Sequence, residues 1–346
     1  MIEIDGSRYS GSGTIVRQAV AFSALTGKPI HIVNARAKRD KPGLRRQHVR
    51  VVEAITELVN GTTKGVQEGT QEFQFRPGSN KGKQEYLFNI GSAGSTTMLA
   101  IGILPVLAFR PARTSVDIRG GLFQDFAPSV FHLQHVIQPL LLKMGLHAAV
   151  QMQRPGYVPT GDGALSLIVD STSRCLQPVV LDFQGPVKRI WGIALASHLA
   201  ERQVSRRMAD AAKKQLAKAG YEAEIEMWED SSAKQPGAAL AIFSDCADGV
   251  RLGADQAGAP KRRSEYIGRD VTKQLLADLD TAATVDRFAS DQLIPFAALA
   301  KGESRFVIPF VTDHIQTSAW LAELILGAQV QTEGQQVLIK GIGYYP

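Results

Sequence analysis

The stretch Val311 to Trp320, VTDHIQTSAW, places His314 one residue behind Asp313, where a short strand gives way to a helix. A neutral imidazole is a nucleophile near pH 7, because its ordinary pKa is about 6.5. The same pattern also fits a plain helix start, with Asp313 as the cap and His314 at the surface. A second feature stands near the other end of the chain. ARAKRDKPGLRRQHVR sets Arg36, Lys38, Arg39, Lys41, Arg45, Arg46 and Arg50 against one acid, Asp40. Arginine predominates there, and its guanidinium fork matches phosphate oxygens. Two loops of small residues, YSGSGTIVR (Tyr9 to Arg17) and GSAGST (Gly91 to Thr96), each lead into a helix. Backbone amides in such loops can approach an anion closely. Neither loop carries the Gly-Lys-Ser/Thr of a Walker sequence or a dinucleotide fingerprint. Taken singly, these are a solvated basic loop and two ordinary helix starts. Taken together, they suggest several helix N-termini converging on one anion site.

The elements that would position these residues follow from periodicity. MIEID reads as a strand, Ile15 to Thr26 as a helix, PIHIVNA as a strand and Leu44 to Val59 as a helix. Pro42 and Gly43 end the second strand ahead of that helix, so the basic block lies on a strand-to-helix turn. EYLFNI, a helix from GSAGST onward, TSVDIRGG, a helix from Ser129 to Met144, and the strands ALSLIVD and VVLDF repeat the order. DQLIPFAALA, RFVIPF, the helix after His314, AQVQTE and QVLIKGIG make a third round. The expected fold class is α/β (α+β), three βαβαββ units of layered sheets and helices with a small inserted α/β domain. Leu199 to Ala219 is a charged helix followed by the strands EAEIEMWE and ALAIFSD, which marks residues 184–268 as the insert. Residues 1–183 and 269–346 would form the core.

The chain of 346 residues is 44% apolar and carries a net charge of +6, which suits a polyanionic partner. Its two cysteines, Cys175 and Cys246, match no zinc or redox spacing, so a reduced, cytoplasmic setting is expected. The N-terminus has neither the basic start nor the long apolar run of a signal peptide. MLAIGILPVLAF is too short to span a bilayer and contains a proline, so no membrane partner is expected.

With these motifs in this order, the chain resembles the RNA 3′-terminal phosphate cyclases. The resemblance is carried by the early Asp5 and Arg17, RAKRDKPGLRRQH from Arg36 to His48, GSAGS from Gly91 to Ser95 and GYVPTGDG from Gly156 to Gly163. HLAER from His198 to Arg202, DQL from Asp291 to Leu293 and the late His314 complete it, over nearly the whole length. The resemblance implies an enzyme that uses ATP and Mg²⁺ or Mn²⁺. It converts an RNA 3′-phosphate end to a 2′,3′-cyclic phosphodiester through a histidine–AMP intermediate. It implies three βαβαββ repeats with a small α/β insert. By the same resemblance, His314 would be the nucleophile, and Arg17, Arg36, Arg39 and Gln47 would handle phosphates. Asp291 and Gln292 would lie by the nucleotide, with Pro128 and Phe288 against adenine.

The chain departs from the family pattern at several points. Ser10 stands where a glutamate is usual, Ile101 where a glutamine is usual, Asp162 inside a glycine triplet, and Thr317-Ser318 in place of Thr-Asn. The metal ligands are therefore not assigned from sequence. Ser10 and Ile101 also fit a catalytically weakened or inactive RNA-binding relative. GSAGSTTM loosely fits the loop of an enolpyruvate transferase, a third reading. Oligomeric state stays open, a homodimer included.

Overall fold

The computed structural model describes residues 1–79, 82–171 and 175–345. The first repeat runs β1 (Ile2–Asp5), α1 (Gly13–Thr26), β2 (Ile30–Val33), α2 (Arg46–Leu58), β3 (Thr62–Lys64) and β4 (Phe73–Arg76). The second opens with β5 (Glu85–Asn89), α3 (Thr96–Ala108) and β6 (Thr114–Gly120). Its second helix is α4 (Val130–His132), a π-type turn over Leu133–Ile137, and α5 (Gln138–Lys143), followed by β7 (Ala148–Arg154) and β8 (Gly163–Val169).

The third repeat begins with β9 (Val180–Leu181) and is then interrupted by β10 (Val187–Ser197), α6 (Val204–Lys218), β11 (Ala223–Asp230), β12 (Gly237–Cys246), β13 (Arg251–Ala257) and α7 (Ser264–Leu279). It resumes with α8 (Ala289–Leu299), β14 (Lys301–Val307), α9 (Asp313–Leu321), β15 (Gln329–Glu333) and β16 (Gln336–Ile342).

The repeats share one topology. Their sheets read β1-β2-β4-β3, β5-β6-β8-β7 and β9-β14-β16-β15, so the fourth strand of each unit always pairs between the second and the third. The first two strands are parallel in every unit, and the remaining pairs are antiparallel. Parallel neighbours need a crossover, and α1, α3 and α8 supply it. These helices are buried almost throughout. A helix that is apolar on every side belongs in an interior. This accounts for MLAIGILPVLAF, which lies in α3 between α1, α2 and α8. Among the described residues, no helix is long and apolar enough to cross a membrane.

The interrupting segment forms its own sheet, β11-β10-β12-β13. α6 packs on α7, and both pack on that sheet. Several element readings change: β3, β4, β7, β13 and α7 are not marked in the sequence reading, and VVLDF changes unit. VVLDF, expected to close the second unit, opens the third, and the strand it displaces is β7. That strand reads AAVQMQR, with only Val150 fully buried, so it lacks the apolar alternation that marks strands in a sequence. β13, RLGADQA, was equally unreadable, because glycine, aspartate and alanine are depleted in strands.

Candidate active site

Two helix N-termini from opposite ends of the chain meet. α1 is capped by Ser12, whose hydroxyl accepts the Thr14 amide at 3.3 Å. α9 is capped by Thr312, whose hydroxyl accepts the Ile315 amide at 3.2 Å. Residues on the two first turns then join. Thr14 Oγ1 lies 3.0 Å from Nδ1 of His314 and also accepts Arg17 Nη2 at 3.3 Å. Ser10 Oγ bonds Thr317 Oγ1 at 2.8 Å and Ser12 Oγ at 3.0 Å. One turn further on, Gln18 Nε2 donates to Ser318 Oγ at 2.8 Å. The hydroxyls at Ser10, Thr317 and Ser318 therefore form the seam between α1 and α9.

The half-buried His314 opens onto a cleft of about 730 Å³. Arg17, Arg36, Arg39, Gln47 and His48 line the same cleft. Burial lowers the His314 pKa, and the charges of Arg17 and Arg39 lower it further against the weaker pull of Asp313. The imidazole is therefore neutral at pH 7. If Nδ1 carries the proton and gives it to Thr14 Oγ1, the Nε2 lone pair is left for a nucleophilic role.

The basic block does two jobs. Arg36 has a left-handed backbone, φ 59°, and its Nη1 donates to the carbonyls of Lys41 at 2.9 Å and Gly43 at 2.5 Å, closing its own loop. Burial, then the neighbouring Arg39 and Arg45, lowers its pKa. Gln47 Oε1 accepts the Ser95 amide at 3.0 Å, which ties the start of α2 to the start of α3. His48 accepts the Arg45 amide on Nδ1 at 3.1 Å. Its pKa is held well below the usual value by burial and by Arg17 and Arg36, so it is a neutral ring whose Nε2 carries the hydrogen. Gly13 has to be glycine here, because a Cβ would overlap the His48 ring.

Four residues singled out from sequence lie off this cleft. Asp291 is buried and pushed up to about 7 by desolvation, which outweighs the opposing charge of Arg17. Arg17 is lowered to about 10 by its own burial. Gln292 Nε2 donates to Asp291 Oδ2 at 2.6 Å, and Gln292 lines a separate void of about 10 Å³ behind Arg17. Pro128 follows the lining residue Ala127, and its carbonyl accepts Thr97 Oγ1 at 2.7 Å. Phe288 packs edge-on against the buried His132, with centroids 5.7 Å apart.

A family model described as RNA 3′-terminal phosphate cyclase matches residues 8–332. The chain belongs to this family. A relative from Hyperthermus butylicus, named RNA 3′-terminal phosphate cyclase, is 36% identical over 362 aligned positions, spanning 100% of this chain and 99% of its own. Relatives of the same name from Caldivirga maquilingensis and Thermococcus onnurineus are 34% and 36% identical, over 98% and 97% of this chain and 97% and 96% of theirs.

Set against this cyclase family, sequence reasoning missed Thr14 and His48 as parts of the site. The signal for Thr14 was its place in a loop otherwise made of glycine and serine. His48 entered only as the end of the RAKRDKPGLRRQH motif, and its tautomer and its opening to the cleft give it a place in the site. Among the described residues, no three His, Cys, Asp or Glu side chains group in a way that could hold a metal ion. Ser10 is engaged with neighbouring hydroxyls. The described residues do not form a protein cage for a divalent cation.

Proposed function

We propose that this chain is an ATP-dependent RNA 3′-terminal phosphate cyclase that works through an AMP adduct on His314. The observation that carries the reading is the meeting of the His314 imidazole with Arg17, Arg36 and Arg39 in one cleft. Family membership and the names of the relatives support the activity. The reading takes RNA ending in a 3′-phosphate as the partner, and a divalent ion such as Mg²⁺ or Mn²⁺ travels on the triphosphate.

In the first step, His314 Nε2 attacks the α-phosphorus of ATP. The N–P bond forms, the Pα–O bond to the β-phosphate breaks, and pyrophosphate leaves. Thr14 keeps Nδ1 engaged and the ring oriented throughout. An oxygen of the RNA 3′-phosphate then attacks the same phosphorus, and the imidazole leaves. The RNA end becomes a mixed anhydride with AMP. Finally the adjacent 2′-oxygen attacks the RNA phosphorus, loses its proton, and expels AMP. That ring closure is intramolecular and needs little more than correct placement.

The demanding requirement is electrostatic, because two phosphate groups and a nucleophile must crowd together. Three guanidiniums, the helix N-termini of α1 and α9, and the Nε2–H of His48 supply positive character without deprotonating. Asp291, with its pKa pushed up to about 7, carries only part of its charge near neutral pH, which reduces its repulsion.

The test is covalent labelling with ATP radiolabelled in the α-phosphate, followed by denaturing electrophoresis. The wild type is expected to retain acid-labile AMP, and His314→Ala to retain none. A wild-type protein that takes no label with Mg²⁺ or Mn²⁺ would sink the mechanism and favour a non-catalytic RNA-binding relative.

A further inference from the structure

The cleft has a second wall that this chemistry does not use. It is built from the loop between β6 and α4, from Val158 and Pro159, and from the insert residues after β13. Phe126 lies on it, fully open to solvent at 102% of its reference exposure. Its backbone is left-handed, φ 65°, a conformation that residues with a β-carbon rarely adopt. The other aromatic residue on this wall, Phe123, is buried against Phe131 and Tyr157.

The loop that carries Phe126 is anchored on both sides. Asp125 takes both terminal nitrogens of Arg262, from the insert, at 2.8 and 2.9 Å. Ser129 donates its amide to Asp255 Oδ2 at 2.8 Å. An unpartnered ring is thus held out from strained backbone on a pinned loop, in a cleft that also presents Arg36 and Arg39. Single-stranded nucleic acid is bound by that combination, with cations on phosphates and an aromatic face on a base.

We infer that Phe126 is a stacking platform for a nucleobase, and that the base belongs to the terminal nucleotide of the RNA whose phosphate lies among the arginines. The assignment to RNA rests on the cyclase reading. The adenine of ATP offers the same π-face, so the test separates the two sources.

The experiment measures equilibrium binding to the wild type and to Phe126→Ala. One arm uses a short 3′-phosphorylated RNA with its terminal base present or replaced by an abasic ribose. The other uses ATP and ribose 5′-triphosphate. Stacking on one aromatic ring corresponds to a roughly five- to one-hundred-fold change in affinity. Phe126→Ala is expected to weaken complete RNA by that factor and to leave abasic RNA unchanged. Phe126→Tyr should restore the affinity and Phe126→Leu should not. A loss confined to ATP over ribose triphosphate keeps the platform and overturns the assignment to RNA. No loss in either arm, or equal loss on complete and abasic RNA, overturns the platform. Binding requires no turnover, so a wild type that shows this pattern but takes no AMP label would defeat the cyclase mechanism alone.

Discussion

The imidazole of His314 is kept neutral by burial and by two cations, against a weaker pull from Asp313. Burial disfavours the cation, and Arg17 and Arg39 repel it. Labelling by ATP should therefore persist at pH 6.5, where an ordinary histidine is half protonated, and fall only at lower pH. Arg39→Gln removes one of the repelling charges and should move this acid limb upward, besides slowing the reaction. Single-turnover labelling rates across pH measure both effects. A wild-type limb at or above 6.5 would contradict the electrostatic account. From sequence, His314 could be chosen only through the order of motifs around it. Its neutrality depends on burial and on guanidiniums that lie 297 and 275 residues earlier in the chain.

At the scale of elements, the seam between α1 and α9 aims the nucleophile. Thr14, Gln18 and Ser10 meet His314, Ser318 and Thr317 across it. Thr14→Val keeps the side-chain shape and the branching but removes the oxygen bonded to Nδ1. Losing one ordinary hydrogen bond at this point should slow AMP labelling roughly tenfold. An unchanged rate would mean that packing alone orients the ring. Helix α1 was legible from apolar spacing and its glycine and serine start, and α9 from an acidic start at Asp313, although Thr312 is the residue that caps it. The seam was not, because hydroxyl residues near helix ends are usually just caps and carry no mark of a distant partner.

For the whole molecule, one buried ion pair joins three parts. His132, from the second repeat, reaches Asp286, from the third, at 3.0 Å. Asp286 also accepts the amide of Gly253, from the insert, at 2.8 Å, and those of Phe288 and Ala289, each at 2.9 Å, at the start of α8. Burial opposes charge on both partners. For His132 the Asp286 charge and hydrogen bond outweigh it, and the pKa rises. For Asp286 the His132 charge outweighs it, and the pKa falls.

The stabilisation from Asp286 is complete above the ordinary carboxylate pKa and is lost as pH falls through its lowered value. That from His132 is complete below about 6.5 and is lost as pH rises through its raised value. The pair therefore acts most strongly in mildly acidic solution. Asp286→Asn should lower unfolding stability by about 3–5 kcal/mol, as expected when one partner of a buried pair is removed. Chemical denaturation at several pH values measures the loss. A gap that does not narrow at either pH extreme would show that the pair is not charged in the folded state.

By itself, the sequence determined much of the order of the elements, the apolar helices that fill the centre, and a supply of arginines and one late histidine. Local periodicity and local charge are enough for that, because each depends on neighbours a few residues apart. Tertiary structure decided which of these groups share a cleft. It brought Arg17, Arg36, Arg39, Gln47 and His314 together and left Asp291, Gln292, Pro128 and Phe288 behind or beside the lining. Thr14 and His314 stand 300 residues apart, and only the packing of the first repeat on the third brings them within a hydrogen bond. Contacts of that separation are set by how whole helices bury their faces, and no local pattern records them.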